Sequence, residues 1–277
     1  MLIATVLFAL ALDHPMLVSD DWLAKHLQDP LVIVVEVGTK ADYDAGHIPG
    51  ARFVPRDEIV AECDGIPDEL PDEERLVATF TRAGIGDAKR VVFYSRDPLL
   101  ATRAWFTLDS VGHGSRASVL DGGWEQWSAA GREIATRSLP VKAAPFTTFP
   151  RPYSIVRYAE MRDLVRRRGS IPQKLVTIDA RPPLRYVEGH IPGAVSIPWT
   201  SNLAGEHPPL LRDEKSLRAI YNTAAIDRET VIVAYCRSGM EASMTYFVLR
   251  YLGYDVALYD GSFVEWDEKA ESVVAAR

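Results

Sequence analysis

The chain has 277 residues, a formal net charge of −7 and only two cysteines, Cys63 and Cys236. The acidic balance argues against nucleic acid or an anionic membrane as a partner. Two thiols are too few for a disulfide framework or a four-ligand zinc site, so no metal is expected. The length suits two domains of about 130 residues.

Residues 1–12 are apolar, and Ala9-Leu10-Ala11 resembles a cleavage site. No Lys or Arg precedes this run, and it is too short to span a bilayer. Leu17-Val18-Ser19 opens a sensible helix cap before Asp20-Asp21-Trp22-Leu23, so Met16 is an alternative start. The expectation is a cytoplasmic protein with an irrelevant or wrongly assigned leader; a signal peptide over 1–11 is the alternative.

A helix is predicted over 20–27, then a strand, LVIVVEV, over 31–37 and the segment DYDAGHIPGA over 42–51. A second strand and loop, RVVFYSRD, cover 90–97. A helix follows over 101–112, and then SVLDGGWEQW over 118–127. Residues 136–152 hold four prolines and no amphipathic period, which marks a linker. The same series then returns. A helix is predicted over 155–169, the strand KLVTIDA over 174–180, and RYVEGHIPGA over 185–194. TVIVAYCRS covers 230–238, with a helix over 242–253 and ALYDGSFVEW over 257–266.

Matches recurring in one order mean two copies of one domain, at a period far longer than a solenoid repeat. The strands are continuous apolar runs, as in a parallel sheet buried on both faces, and they alternate with helices. The reading is an α/β protein with domains at 16–135 and 153–277. His47 and His190, present in both copies within Gly/Pro turns, read as structural groups serving the backbone. The Asp-Gly turns at 121–123 and 260–262 read the same way, and Trp124, Trp127, Phe263 and Trp266 read as core. Cys63 reads as an incidental, partly buried thiol.

Cys236 stands apart. It ends a β-branched strand, and Arg237, Ser238 and Gly239 lead into a helix. Outward-facing amides and the helix dipole stabilise an anion there. The expectation is a thiolate at neutral pH, lowered from ~8.5 to roughly 3.5–7.5, and hence a nucleophile.

The two GHIPGA segments, the two Asp-Gly turns with aromatics, and Cys236-Arg237-Ser238-Gly239-Met240-Glu241 resemble the tandem-domain rhodanese sulfurtransferases. The resemblance runs from about Leu17 to the end. It implies two rhodanese-like α/β domains, each a central parallel sheet flanked by helices, with the catalytic cysteine in the second. Ser95 stands where Cys236 stands, so the first copy reads as catalytically silent. The resemblance implies that Cys236 attacks the outer sulfur of an anionic donor such as thiosulfate, holds a persulfide, and yields it to cyanide, a thiol or thioredoxin. No cofactor is needed. The amides of 237–242, through Ala242, would hold the anion. Arg237 and Arg185 are the candidate cations for the departing oxyanion; the first-half counterpart of Arg185 is Asp42.

Thiosulfate-preferring members tend to have two basic residues after the Cys, and mercaptopyruvate-preferring members Gly-Ser-Gly. Arg237 fits the first pattern and Ser238 the second. Glu241 departs from the threonine common to both. It should repel a dianion unless it points away or pairs with Arg237 or Arg185. Pro67-Asp68-Glu69-Leu70-Pro71 resembles a stretch that carries a histidine in many mercaptopyruvate enzymes, and it has none, which favours thiosulfate. A phosphatase of the Cys-x5-Arg type is disfavoured because position 242 is Ala. A persulfide carrier with slow turnover is the remaining alternative.

Overall fold

The computed structural model describes residues 15–87, 89–170, 174–227 and 229–269. The apolar opening of the chain lies outside the described residues, as do 270–277. No helix among the described residues is long and apolar enough to cross a membrane.

The first half contains β1 (Leu17–Val18), α1 (Asp20–His26), β2 (Val32–Gly38), α2 (Lys40–Ala45) and β3 (Arg52–Pro55). It continues through β4 (Ala61–Cys63), β5 (Ile66–Glu69), α3 (Glu73–Arg82), β6 (Arg90–Tyr94), α4 (Pro98–Ser110), β7 (Ala117–Leu120) and α5 (Gly123–Ala129). The second half contains β8 (Ile155–Val156), α6 (Tyr158–Arg166), β9 (Leu175–Asp179), α7 (Pro183–Glu188) and β10 (Val195–Ser196). It ends with α8 (Glu214–Asn222), β11 (Val231–Tyr235), α9 (Met240–Tyr251), β12 (Val256–Tyr259) and α10 (Ser262–Lys269). Each half builds a parallel five-stranded sheet, ordered β1-β7-β6-β2-β3 in the first and β10-β9-β11-β12-β8 in the second. A short antiparallel ribbon, β4–β5, lies outside both.

Strand residues alternate between two cores, because successive side chains leave opposite faces. Ile33, Val35 and Val37 face one core, continuous through both halves, while Val34, Val92 and Tyr94 face the outer helices of the first half. Val233 and Tyr235 do the same in the second half. The shared core is bridged by α4 and α9, which pack on each other. Trp105 meets Phe247 edge-on at 5.1 Å, and Phe106 meets Tyr246 at 4.8 Å. Both helices are buried on nearly every side, since each lies between its own sheet and the other helix. Fully burying one such side chain contributes roughly 2–3 kcal/mol.

Helix starts differ from the sequence reading for local reasons. α4 begins at Pro98 because the Asp97 side chain accepts from Leu99 N–H and Pro fits the first helical turn. Ile155 and Val156 are not helical: they pair with β12 as β8, and α6 starts only at Tyr158. The histidines serve the backbone. His47 Nδ1 lies 2.8 Å from the Tyr43 carbonyl with the rings stacked at 3.8 Å; His190 repeats this on Tyr186 at 3.0 and 3.9 Å. Trp127 and Trp266 are core, but Trp124 and Phe263 are only partly buried. Each instead carries a guanidinium on its face, Arg96 at 4.3 Å and Arg181 at 3.9 Å.

Candidate active site

Cys236 follows β11 directly, and the end of that strand is pinned from within. Tyr235 Oη donates to Asp179 Oδ2 at 2.6 Å and accepts from Ile191 N–H at 3.1 Å. Asp179 is fully buried and grips Arg181 at 2.6 Å. Beyond the strand the loop curls so that Gly239 N–H donates to Cys236 Sγ at 3.1 Å, and the amides of Ser238 and Ala242 also bond the sulfur. Gly239 has φ +95, a left-handed conformation that favours glycine. The other side of the loop is tied to α10: Phe263 N–H donates to the Cys236 carbonyl and Val264 N–H to that of Arg237, both at 3.0 Å.

The expected thiolate is corrected by the environment of the sulfur. Cys236 is buried, with 1% of its surface exposed. Burial first, and then the Glu241 carboxylate, push the thiol up to about 11 despite the three amides. Glu241 neither turns away nor pairs with Arg237 or Arg185. Its carboxylate bonds the Cys236 thiol and the Arg237 backbone N–H, and burial raises its own pKa. At neutral pH Cys236 therefore carries a neutral thiol, hydrogen-bonded to the Glu241 side chain. Glu241→Gln removes the second cause of the elevated pKa. Iodoacetamide alkylation of Cys236 at pH 7 is expected to speed up by about tenfold, as for one unit of pKa. An unchanged rate would show that the carboxylate does not act on the sulfur.

Arg237 is exposed, and its side chain has no ion pair or hydrogen bond among the described residues. It lines a cleft of about 410 Å³ together with Arg181, Arg185, Glu188 and Phe263. Arg185 is held by Glu188 at 2.9 Å on the outer side of α7. Ser238 faces inward, and its hydroxyl donates to Asp68 Oδ2 at 2.7 Å. Met240 packs, half-buried, on the shared core.

The corresponding loop of the first half lacks two parts of this arrangement. Ser95 replaces the thiol, and Pro98, which has no N–H, stands in the register of Gly239. The flanking scaffold is kept. Tyr94 Oη donates to Glu36 Oε2 at 2.5 Å and accepts from Ile48 N–H at 3.0 Å, and Trp124 N–H donates to the Ser95 carbonyl at 3.1 Å.

A profile of the rhodanese-like domain matches the chain twice, over residues 19–130 and 161–269. The chain belongs to the rhodanese-like family. Sulfur carrier protein TtuD of Thermus thermophilus is 33% identical, with 91% of this chain and 94% of that protein covered. A putative thiosulfate sulfurtransferase of Saccharopolyspora erythraea is 32% identical over 90% and 92%. The crystal structure of the 3-mercaptopyruvate sulfotransferase SseA of Escherichia coli superposes with a TM-score of 0.78 at 26% identity, covering 90% of this chain and 99% of that one. The chain is thus a sulfurtransferase by family, with two rhodanese-like domains in tandem.

Asp68, in a segment without histidine, is a site residue that no local pattern marks. It comes from β5, far from Cys236 in sequence, and only the packing of the two halves brings it to Ser238. Cys63, beside Glu69 on β4, is partly buried, and burial together with the Glu69 carboxylate raises its pKa.

Proposed function

We propose that this rhodanese moves sulfane sulfur from thiosulfate to a thiophilic acceptor through a persulfide on Cys236. The observation that carries this reading is the amide cradle at Cys236 Sγ, one residue from the free guanidinium of Arg237. The Cys236 proton passes to Glu241, and the sulfur attacks the outer sulfur of thiosulfate. The S–S bond of the donor breaks, and sulfite leaves with its electron pair toward Arg237 and Arg185. The persulfide that remains is anionic and is held by the amides of Ser238, Gly239 and Ala242. Cyanide, or the thiol of a small molecule or thioredoxin-like protein, then takes the outer sulfur and returns the Cys236 thiolate, which recovers its proton from Glu241. Two half-reactions through a covalent intermediate give ping-pong kinetics.

Ser238 bears on the choice of donor. A 2-keto acid donor would use a hydroxyl donor here, but the Ser238 proton is already given to Asp68. A second reading, a carrier that loads sulfur and hands it to a protein partner with slow free turnover, is supported by the burial and high pKa of Cys236.

Steady-state transfer to cyanide, compared between thiosulfate and 3-mercaptopyruvate, tests the donor. The expected result is a higher kcat/KM with thiosulfate, and after donor alone a single added sulfur that peptide mass mapping places on Cys236. Preference for 3-mercaptopyruvate would overturn the donor assignment. Loading without turnover of either donor would replace the enzyme by the carrier.

A further inference from the structure

The two halves cover each other's loops reciprocally. In the register that matches Tyr94 with Tyr235, Thr102 and Ser243 are equivalent, and their hydroxyls face each other at 3.4 Å between α4 and α9. On one side of this pair, Leu70 N–H donates to Asp260 Oδ2 at 2.9 Å. On the other, the equivalent Leu211 N–H donates to Asp121 Oδ1, also at 2.9 Å. Each half thus sends a segment across to seal the strand-end loop of the other.

The symmetry fails one residue further along the helices. Where α9 has Met244, buried at the Ser95 loop, α4 has Arg103, buried at the Cys236 loop. Arg103 is fully buried, and its partners satisfy it incompletely. Nη2 donates to the Asp68 carbonyl at 2.6 Å, and the ion pair with Asp260 is long, 3.4–3.5 Å. Nε has no hydrogen-bond partner among the described residues. Burying a charge this way costs free energy that the thioether at the equivalent position avoids. The packing of the guanidinium supplies a reason. A β-carbon placed on Gly239 would lie 3.0 Å from Arg103 Nη1, 3.4 Å from the Asp260 carbonyl and 3.6 Å from the Asp68 carbonyl. Arg103, linking Asp68 to Asp260, forms the wall against which Gly239 rests.

We infer that Arg103, carried by the half without the thiol, is a positioning residue for the Cys236 site: its guanidinium holds Gly239 in the left-handed conformation that aims the Gly239 N–H at Sγ. The first domain is then a working part of the sulfur site as well as a cover for it. The inference rests on the proposed role of Cys236 and deepens it.

The test uses full-length Arg103→Met, which installs the residue of the equivalent position, and Arg103→Lys, which keeps the charge but not the fork. Three quantities are read: the pH profile of Cys236 alkylation by iodoacetamide, the rate of sulfur loading from thiosulfate, and the thermal midpoint. For folded Arg103→Met, the alkylation profile is expected to move to higher pH. Loading should fall at least about tenfold, the effect of one misdirected hydrogen bond to an anion, with KM for thiosulfate little changed. Arg103→Lys should fall between. A purely structural role would lower the midpoint and leave the alkylation profile in place; that result overturns the inference. If Arg103→Met does not fold, Arg103→Lys decides: a shifted profile supports the inference and the wild-type profile overturns it. Mapping the loaded sulfur in the wild type separates the two ideas. Sulfur on Cys236 with unaltered Arg103 variants defeats only the inference, whereas sulfur elsewhere defeats the reading beneath it.

Discussion

Cys236→Ser is expected to abolish sulfur transfer, to below about a thousandth of the wild-type rate, with the fold intact. Persulfide chemistry needs a polarisable sulfur anion, and a serine hydroxyl neither ionises at this site nor forms an S–S bond. The first half already carries this substitution: Ser95 sits on the same Tyr–acid scaffold, with its carbonyl held by Trp124 N–H as that of Cys236 is held by Phe263. A well-folded variant is therefore expected, so lost activity would not reflect lost structure. The substitution has a second readout, in alkaline stability. The folded Cys236 thiol titrates near pH 11, above its ordinary value, so the native state keeps a proton that the unfolded chain releases near pH 8.5. Stability from this group is fully present below pH 8.5 and is lost as pH rises toward 11. The loss reaches about 3 kcal/mol in the wild type. Urea midpoints taken from pH 7 to pH 11 should fall less steeply for Cys236→Ser. Equal slopes would mean that the thiol is not buried in solution as it is here.

The duplication was legible because its signals are local. Two GHIPGA turns, two apolar strands ending in an acid and two Asp-Gly turns each depend on a few adjacent residues. Their periodicity maps directly onto strand and turn geometry. The position of Cys236 after a strand and before a helix was legible for the same reason. Its protonation state was not. The amides that favour a thiolate are local, while the burial and the carboxylate orientation that oppose it arise from tertiary packing. Asp68 and Arg103 were hidden for a further reason. They reach the loop from the other half, Asp68 from β5 and Arg103 from α4, and no spacing within either half encodes that meeting. The aromatics Trp124 and Phe263 read as core because apolar pattern alone does not tell a buried ring from a platform under a guanidinium.

Arg181→Met is expected to cost about 3–5 kcal/mol of stability, the range for removing one partner of a buried ion pair. Asp179 has no exposed surface, and Arg181 is its close partner, at 2.6 Å, besides donating to the Gly189 carbonyl at 2.6 Å. Without the guanidinium, Asp179 would keep the Tyr235 hydroxyl but lose its countercharge. The corresponding first-half change, Arg96→Met, should cost much less, since Arg96 is 31% exposed and stands 3.9 Å from Glu36. The comparison bears on how the copies diverged in function. In the first half the arginine that follows the strand-end loop residue, Arg96, occupies the space beside the buried acid, stacks on Trp124 and donates to the Gly46 carbonyl. In the second half Arg181, from β9's end, occupies that space, stacks on Phe263 and donates to Gly189. Arg237, in the register of Arg96, is thereby released from structural duty and left facing the cleft. If the urea midpoints of Arg181→Met and Arg96→Met drop equally, this division of labour between the two arginines is wrong.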